Sequence, residues 1–86
     1  MIKVYSKEGC PLCVRAKNLL EWHGIEFEEV RIDLDHDARK FLLMAGHRSV
    51  PQLYVGETLL VEGGFQGLSS LTADEVKERV EEINGN

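Results

Sequence analysis

The sequence predicts an α/β domain with a four-stranded mixed sheet flanked by three helices, arranged as a βαβ unit followed by a ββα unit. Two observations support this: the apolar residues change between strand-like and helix-like spacing along the chain, and a two-residue turn separates two strand-like segments in its second half. The 86 residues, 43% of them hydrophobic, can bury one modest core. We therefore expect a single domain over residues 1–86.

The first half of the chain is predicted to alternate strand, helix, strand, helix. The elements are a strand at Ile2–Tyr5, a helix from about Pro11 to His23, a strand containing Phe27, Val30 and Ile32, and a helix capped by Asp35 or Asp37. The apolar stripe of the first helix is Ala16, Leu19 and Leu20, flanked by Val14 and Trp22, and that of the second is Ala38, Phe41, Leu42 and Ala45. Both helices are followed by glycine, at Gly24 and Gly46, which favours a left-handed stop.

The second half is predicted to form a hairpin and then a helix. Strands at Pro51–Val55 and Thr58–Val61 are joined by Gly56-Glu57, a connection so short that the strands must be antiparallel. The glycine-rich segment Gly63–Gln66 is expected to enter a short helix. Thr72–Glu75 has the pattern of a capping box and begins a last helix with an apolar stripe at Val76, Val80 and Ile83.

Two cysteines, Cys10 and Cys13, follow the first strand and begin the first helix, with Pro11 and Leu12 between them. The N-terminus of a helix carries unpaired N–H groups and a partial positive charge, which stabilise a thiolate. Pro11 stands where proline is favoured in a helix and costs no hydrogen bond. This pattern predicts a redox-active pair in which Cys10, at the exposed end, attacks a disulfide and Cys13, inside the helix, resolves the mixed disulfide.

The cysteine pair has two other possible interpretations, a structural zinc site and a structural disulfide. A structural zinc site needs two more ligands, and His23, His36 and His47 lack the short paired spacing that zinc sites use. A structural disulfide across so small a loop removes little entropy from the unfolded chain. We therefore expect redox chemistry and no bound metal.

Charge and composition limit the partners and the compartment. The net charge is −5, and an acidic chain lacks the basic patch that nucleic-acid binding requires. No apolar stretch approaches the length that crosses a bilayer, and Met1 leads directly into the first strand without a signal-peptide pattern. We expect a cytoplasmic protein without membrane or nucleic-acid partners, and since nothing in the pattern requires a dimer, a monomer.

Three blocks of sequence together resemble the glutaredoxins: Lys7 to Cys13 with the following Arg15-Ala16-Lys17, Arg48 to Gln52, and Gly63-Gly64-Phe65. The resemblance implies a minimal thioredoxin fold and a disulfide oxidoreductase that takes glutathione as its reductant. Its expected substrates are protein disulfides and glutathionylated proteins.

The resemblance also implies a glutathione-binding site. Lys7 is expected to contribute positive charge near Cys10, Leu12 an apolar contact, and Val50 a backbone edge exposed by a cis bond to Pro51. The backbone at Gly64, Phe65 and Gln66 is expected to hold the γ-glutamyl carboxylate. Arg48 is expected near the glycyl carboxylate.

The chain departs from the glutaredoxin pattern at three places, the first of which is Leu12, where the family commonly has an aromatic residue. Gln66-Gly67 stands where the family usually has acidic residues, and Ala38 stands where it often has a polar contact, with Arg39 or Arg48 as possible substitutes. An alternative function is therefore a glutaredoxin-like redoxin that is reduced by thioredoxin reductase and donates electrons to ribonucleotide reductase. Gly46-His47-Arg48 also resembles that group. A third reading is a module that binds an iron–sulfur cluster or zinc through Cys10, which Pro11 disfavours.

Overall fold

The computed structural model describes residues 1–85. Four strands and four helices follow one another in the order β1 (Ile2–Ser6), α1 (Pro11–Trp22), β2 (Phe27–Arg31), α2 (His36–Met44), β3 (Gln52–Val55), β4 (Thr58–Leu59), α3 (Gly64–Ser69) and α4 (Ala73–Gly85). None of the helices in this range has the length and apolar character required to cross a membrane.

The sheet is mixed and has the strand order β2-β1-β3-β4. β1 pairs in parallel with β2, with Ile2 opposite Phe27, and antiparallel with β3, with Ile2 opposite Val55. β3 and β4 form the antiparallel hairpin that the short Gly56-Glu57 turn requires. The predicted four-stranded mixed sheet is therefore confirmed.

The two faces of the sheet carry separate apolar clusters. Ile2 and Val4 of β1 point to one face, and Tyr5 points to the other, because successive side chains of a strand alternate. The first cluster includes buried residues from α1, α3 and α4: Ala16, Leu20, Leu68 and Val76. The second is formed with α2 and contains Tyr5, Ala38, Leu42 and Tyr54. Helices thus cover both faces and leave the ends of the strands open.

Two helix starts confirm the cap patterns in the sequence. Asp35, rather than Asp37, caps α2, because its Oδ1 accepts a 3.0 Å hydrogen bond from the Ala38 N–H. At α4, the Thr72 N–H donates to Glu75 Oε1 at 2.9 Å, and the Glu75 N–H donates to Thr72 Oγ1 at 3.2 Å. This reciprocal pair is the predicted capping box.

The sheet is flanked by four helices in residues 1–85, whereas three were predicted. The additional helix is α3, which the glycine-rich segment after β4 forms. β4 is also two residues shorter than predicted, although the Leu60 N–H still donates to the Leu53 carbonyl at 2.9 Å. The chain leaves the ladder there to enter the turn before α3.

Three apolar side chains assigned to helix stripes face solvent instead. Val14 and Trp22 are 49% and 85% exposed. Each lies two positions from a buried residue of α1, Ala16 or Leu20, which places it about 200° around the helix. Ala45 is exposed because it is the C-cap of α2 and lies beyond the last buried turn.

Candidate functional site

Cys10 and Cys13 form a disulfide at the N-terminus of α1, with their Cα atoms 5.3 Å apart. Cys10 is the N-cap of the helix, and its Sγ accepts a 3.2 Å hydrogen bond from the Cys13 N–H. Cys10 is half-buried, whereas Cys13 is only 1% exposed. Of the two sulfurs, only that of Cys10 is accessible to a second molecule.

The segment before β3 lies against Cys10. The Val50–Pro51 peptide bond is cis, as the resemblance implies, and the Val50 carbonyl oxygen is 3.8 Å from Cys10 Sγ. A disulfide sulfur carries no proton, so this is a packing contact in the oxidised protein. In residues 1–85, Val50 makes no backbone–backbone hydrogen bond, and its N–H and carbonyl remain available to an extended ligand.

The N-terminus of α3 packs closely behind this segment. Gly64 has a φ of 58° and is buried, and a Cβ atom at this position would be 2.8 Å from the Pro51 carbonyl oxygen. Only glycine fits both the backbone conformation and the close approach. The first N–H groups of a helix have no acceptor within it, so the amides of Phe65 and Gln66, in the first turn of α3, lack intrahelical hydrogen bonds.

Two cavities adjoin at Val50. The first, of about 310 Å³, is lined by three cations, Lys7, Arg39 and Arg48, together with Asp33 and apolar residues of α2. The second, of about 630 Å³, is lined by six of the predicted site residues and their neighbours: Leu12, Val50, Pro51, Gly64, Phe65 and Gln66. Both also share His47 and Ser49. All eight residues predicted for the ligand site therefore line one or both of these cavities.

The cations of the first cavity are free of ion pairs. In the described part of the chain, Lys7, Arg39 and Arg48 form no salt bridge, whereas the neighbouring Arg31 is neutralised by Asp33 at 2.5 Å and approaches Glu8 at 3.9 Å. Hydrogen bonds from the Arg31 guanidinium hold the pKa of Asp33 at about 2, so Asp33 is ionised at neutral pH. Unpaired positive charge at a cavity favours an anionic ligand.

Asp33 is a site residue that the sequence reasoning missed. Besides pairing with Arg31, its Oδ2 accepts a hydrogen bond of 3.4 Å from the Glu8 N–H, which connects the end of β2 to the loop that carries Lys7. β1 and β2 are parallel, and parallel strands bring their carboxyl ends to one edge of a sheet. That rule could have placed Asp33 beside the Lys7 loop.

A polar network joins α1 to the sheet one turn after Cys13. The buried Ser6 hydroxyl donates to Glu29 Oε2 at 2.6 Å, and Lys17 Nζ donates to the same oxygen at 2.8 Å. These hydrogen bonds, that of Lys17 first, hold the pKa of the Glu29 carboxyl below its usual value. The network links α1, through Lys17, to neighbouring residues of β1 and β2.

A model of the glutaredoxin family matches residues 2–60. The chain belongs to the glutaredoxin family. At Cys10 and Cys13 it carries the Cys-x-x-Cys motif of a glutaredoxin-family thiol oxidoreductase. The thioredoxin-like fold that the resemblance implies is confirmed by solved structures of glutaredoxin-like proteins.

Individual glutaredoxins align with most of this chain. A glutaredoxin of Pseudomonas aeruginosa is 38% identical over 71 residues, which are 81% of this chain and 82% of that protein. A probable glutaredoxin of Synechocystis is 41% identical over 58 residues, or 65% of this chain, and the chain spans about half of that relative, 53%. The solved structure of the glutaredoxin-like protein NrdH-redoxin from Escherichia coli superposes with a TM-score of 0.68 at 25% identity and covers 90% of this chain and 91% of that one.

Within residues 1–85, no three side chains among His, Cys, Asp and Glu come close enough together to hold a metal ion. His47 instead hydrogen-bonds to Tyr54.

Proposed function

We propose that this chain is a cytoplasmic, glutathione-dependent thiol-disulfide oxidoreductase that reduces protein disulfides or glutathionylated proteins. The observation that carries the proposal is the position of Cys10, whose accessible sulfur lies against the free backbone edge of Val50, between a cavity lined by unpaired cations and a helix N-terminus. The reactive sulfur of Cys10 is thus adjacent to a cavity suited to an anionic peptide.

The reaction with a glutathionylated protein uses Cys10 alone. The Cys10 thiolate attacks the glutathione sulfur, a Cys10–glutathione disulfide forms, and the protein sulfur leaves as a thiolate that takes a proton. A second glutathione, as its thiolate, attacks the glutathione sulfur of this mixed disulfide. Glutathione disulfide forms and the Cys10 thiolate is released, so each protein thiol gained consumes one free glutathione, and the other half of the glutathione disulfide comes from the substrate.

The reaction with a protein disulfide uses both cysteines. Cys10 attacks one sulfur of the substrate, and Cys13, which lies next to it inside the helix, then attacks Cys10. The products are a reduced protein dithiol and the Cys10–Cys13 disulfide, which is the state of the structure described above. Two glutathione molecules return it to the dithiol through a Cys10–glutathione disulfide.

The two cavities that adjoin at Val50 together form a groove beside Cys10. This groove suits a tripeptide with two carboxylates. Its cavities of about 310 and 630 Å³ lie within the usual range for small-molecule sites. Lys7, with Arg39 or Arg48, would attract the glycyl carboxylate, Val50 would pair with the cysteinyl backbone, and the amides of Phe65 and Gln66 would meet the γ-glutamyl carboxylate. Leu12, 43% exposed, would cover the apolar part of the ligand.

One observation favours the alternative, a redoxin that takes electrons from thioredoxin reductase and passes them to ribonucleotide reductase. Gln66 and Gly67 stand where acidic side chains would hold the amino group of glutathione. A Cβ atom on Gly67 would overlap the Glu62 carbonyl oxygen and crowd Val61, so position 67 has no room for an acidic side chain. The overall similarity to the redoxin of Escherichia coli is compatible with this alternative.

The two functions are separated by the reductant that supports turnover. The assay follows NADPH oxidation on a glutathionylated peptide, once with glutathione and glutathione reductase and once with thioredoxin reductase alone. We expect turnover with glutathione. Turnover with thioredoxin reductase only would overturn the glutathione-dependent assignment in favour of the alternative. Cys10→Ser is the matched control, because it removes the attacking sulfur and should be inactive in both arms.

A further inference from the structure

The segment Gly46–Val50, the connecting segment, links α2 to β3 and presents the backbone edge of Val50 to the groove. Its start is fixed to α2, since the His47 N–H donates to the Leu42 carbonyl at 2.9 Å. Its end is held by Gln52, whose side-chain amide donates to the Ser49 carbonyl at 3.0 Å. The side chain of Val50 packs against the second apolar cluster. The segment's side-chain hydrogen bond to the sheet, among the described residues, is made by His47.

The contact made by His47 is a short hydrogen bond to Tyr54, a buried residue of β3. His47 Nε2 is 2.5 Å from the Tyr54 hydroxyl oxygen, and the two rings meet edge to face with centroids 5.7 Å apart. His47 is half-buried and lines both cavities of the groove. A side chain at the ligand site is thereby tied to a residue of the central sheet.

The packing of the Tyr54 ring fixes the position of the hydroxyl that takes part in this hydrogen bond. Tyr54 is 4% exposed, and its ring packs edge to face on Tyr5 at 5.7 Å and on Phe41 at 5.0 Å. Burial raises the pKa of Tyr54, so the hydroxyl stays neutral at physiological pH and can donate to or accept from the imidazole. An aromatic ring packed on two others has one position in which to hold its partner.

We propose that His47 and Tyr54 are positioning residues whose hydrogen bond holds the connecting segment in the conformation that presents the Val50 backbone edge to the ligand. The inference rests on the proposed function in that the ligand meant is a glutathione mixed disulfide. A ligand that pairs with a backbone edge loses binding when that edge becomes mobile, because the edge must then be ordered on binding. The thiol exchange itself takes place at Cys10 and does not require the hydrogen bond.

The first test is the kinetics of Tyr54→Phe, which removes the hydroxyl and keeps the ring. We expect the KM for a glutathionylated peptide to rise about five-fold, the loss typical of one hydrogen bond, while kcat changes less than about two-fold. Tyr5→Phe is the matched control, because Tyr5 belongs to the same aromatic cluster and its hydroxyl has no described hydrogen bond in residues 1–85. It should leave KM unchanged.

Variants of His47 distinguish positioning from direct contact with the ligand. His47→Leu should raise KM as Tyr54→Phe does, His47→Gln should restore part of the loss by offering a new polar partner to the hydroxyl, and the double variant His47→Leu/Tyr54→Phe should be no worse than either single one. Additive effects, or an effect of His47 variants without one of Tyr54→Phe, would mean that His47 binds the ligand itself, and would overturn the proposal.

A measurement that needs no ligand separates this inference from the proposed function. Backbone ¹⁵N relaxation of the reduced protein should show lower order parameters at Ser49 and Val50 in Tyr54→Phe than in the wild type or in Tyr5→Phe. If the wild type fails to use glutathione, the proposed function fails, and the relaxation data still decide the role of the hydrogen bond. Unchanged order parameters in Tyr54→Phe would refute the positioning role whatever the substrate.

Discussion

Cys10 is accessible and Cys13 is 1% exposed, and this difference in exposure determines what each substitution should do. Cys10→Ser should abolish turnover on both glutathionylated peptides and protein disulfides, because no other sulfur can attack. Cys13→Ser should retain turnover on glutathionylated peptides and lose most of it on protein disulfides, with mixed disulfides accumulating. Mass spectrometry of the trapped species gives the measurement. Measurable activity of Cys10→Ser would contradict the assignment.

Lys7 is one of three cations at the first cavity that form no ion pair within residues 1–85, and its charge should contribute to binding. Lys7→Ala is expected to raise the apparent KM for glutathione about three- to five-fold, as loss of one partly exposed charge contact would. Lys77→Ala is the matched control, since Lys77 is exposed on α4 and lines neither cavity. Equal effects of the two substitutions, or no effect of Lys7→Ala, would place the anionic ligand elsewhere.

Single residues of the site were predictable from sequence where a local pattern or the resemblance to the glutaredoxins marks them. The spacing of Cys10 and Cys13 and the position of Pro11 follow from helix-end chemistry and need no knowledge of the rest of the chain. The hydrogen bond between His47 and Tyr54 depends on the path of the connecting segment between them, which no periodicity encodes. The resemblance to a family gave His47 no role in binding, and only the structure places it in the groove.

At the scale of elements, Asp33 links the end of β2 to the loop between β1 and α1, and its pKa of about 2 makes this link dependent on pH. The folded-state value lies below the ordinary 3.8, so the stabilisation is present above about pH 4 and is lost as the pH falls toward 2. We expect the urea midpoint of the wild type to exceed that of Asp33→Asn at pH 6, and the difference to shrink between pH 4 and pH 2.

The partner variant Arg31→Gln gives the matched comparison for Asp33. It removes the guanidinium whose hydrogen bonds cause the lowered pKa, so it should show the same loss of stability at pH 6 and the same convergence with the wild type at low pH. A difference between the wild type and either variant that does not change with pH would mean that the ion pair is not its source.

The order and type of the elements were predictable, and their ends were less so. Helix starts could be predicted because Asp35 and Thr72 satisfy backbone N–H groups locally. β4 ends at Leu59 although the apolar run continues through Val61. Leu60 keeps one hydrogen bond to Leu53, but the chain then turns away from β3, and both Leu60 and Val61 pack into the first apolar cluster. A run of apolar residues indicates that the segment is buried, and burial alone does not distinguish a strand from the turn that follows it.

Over the whole molecule, the charge is distributed unevenly. The net charge is −5, yet the first cavity is lined by three cations without ion partners in the described residues. Salt screens such interactions, so the KM for a glutathionylated peptide should rise about three-fold between low and roughly 0.5 M ionic strength. Lys7→Ala should show a smaller rise. A KM independent of salt in the wild type would contradict an electrostatic role for the cavity.

The strand order also leaves two edges, β2 and β4, and each is poorly suited to pairing with another chain. β2 carries Glu28, Glu29 and Arg31 along its five residues, and β4 has only two residues. Charged side chains and short length both discourage the addition of a further strand. The proposed reaction would hold the protein against each substrate for the lifetime of a mixed disulfide. Strand edges that resist pairing would keep such transient complexes from growing into insoluble aggregates.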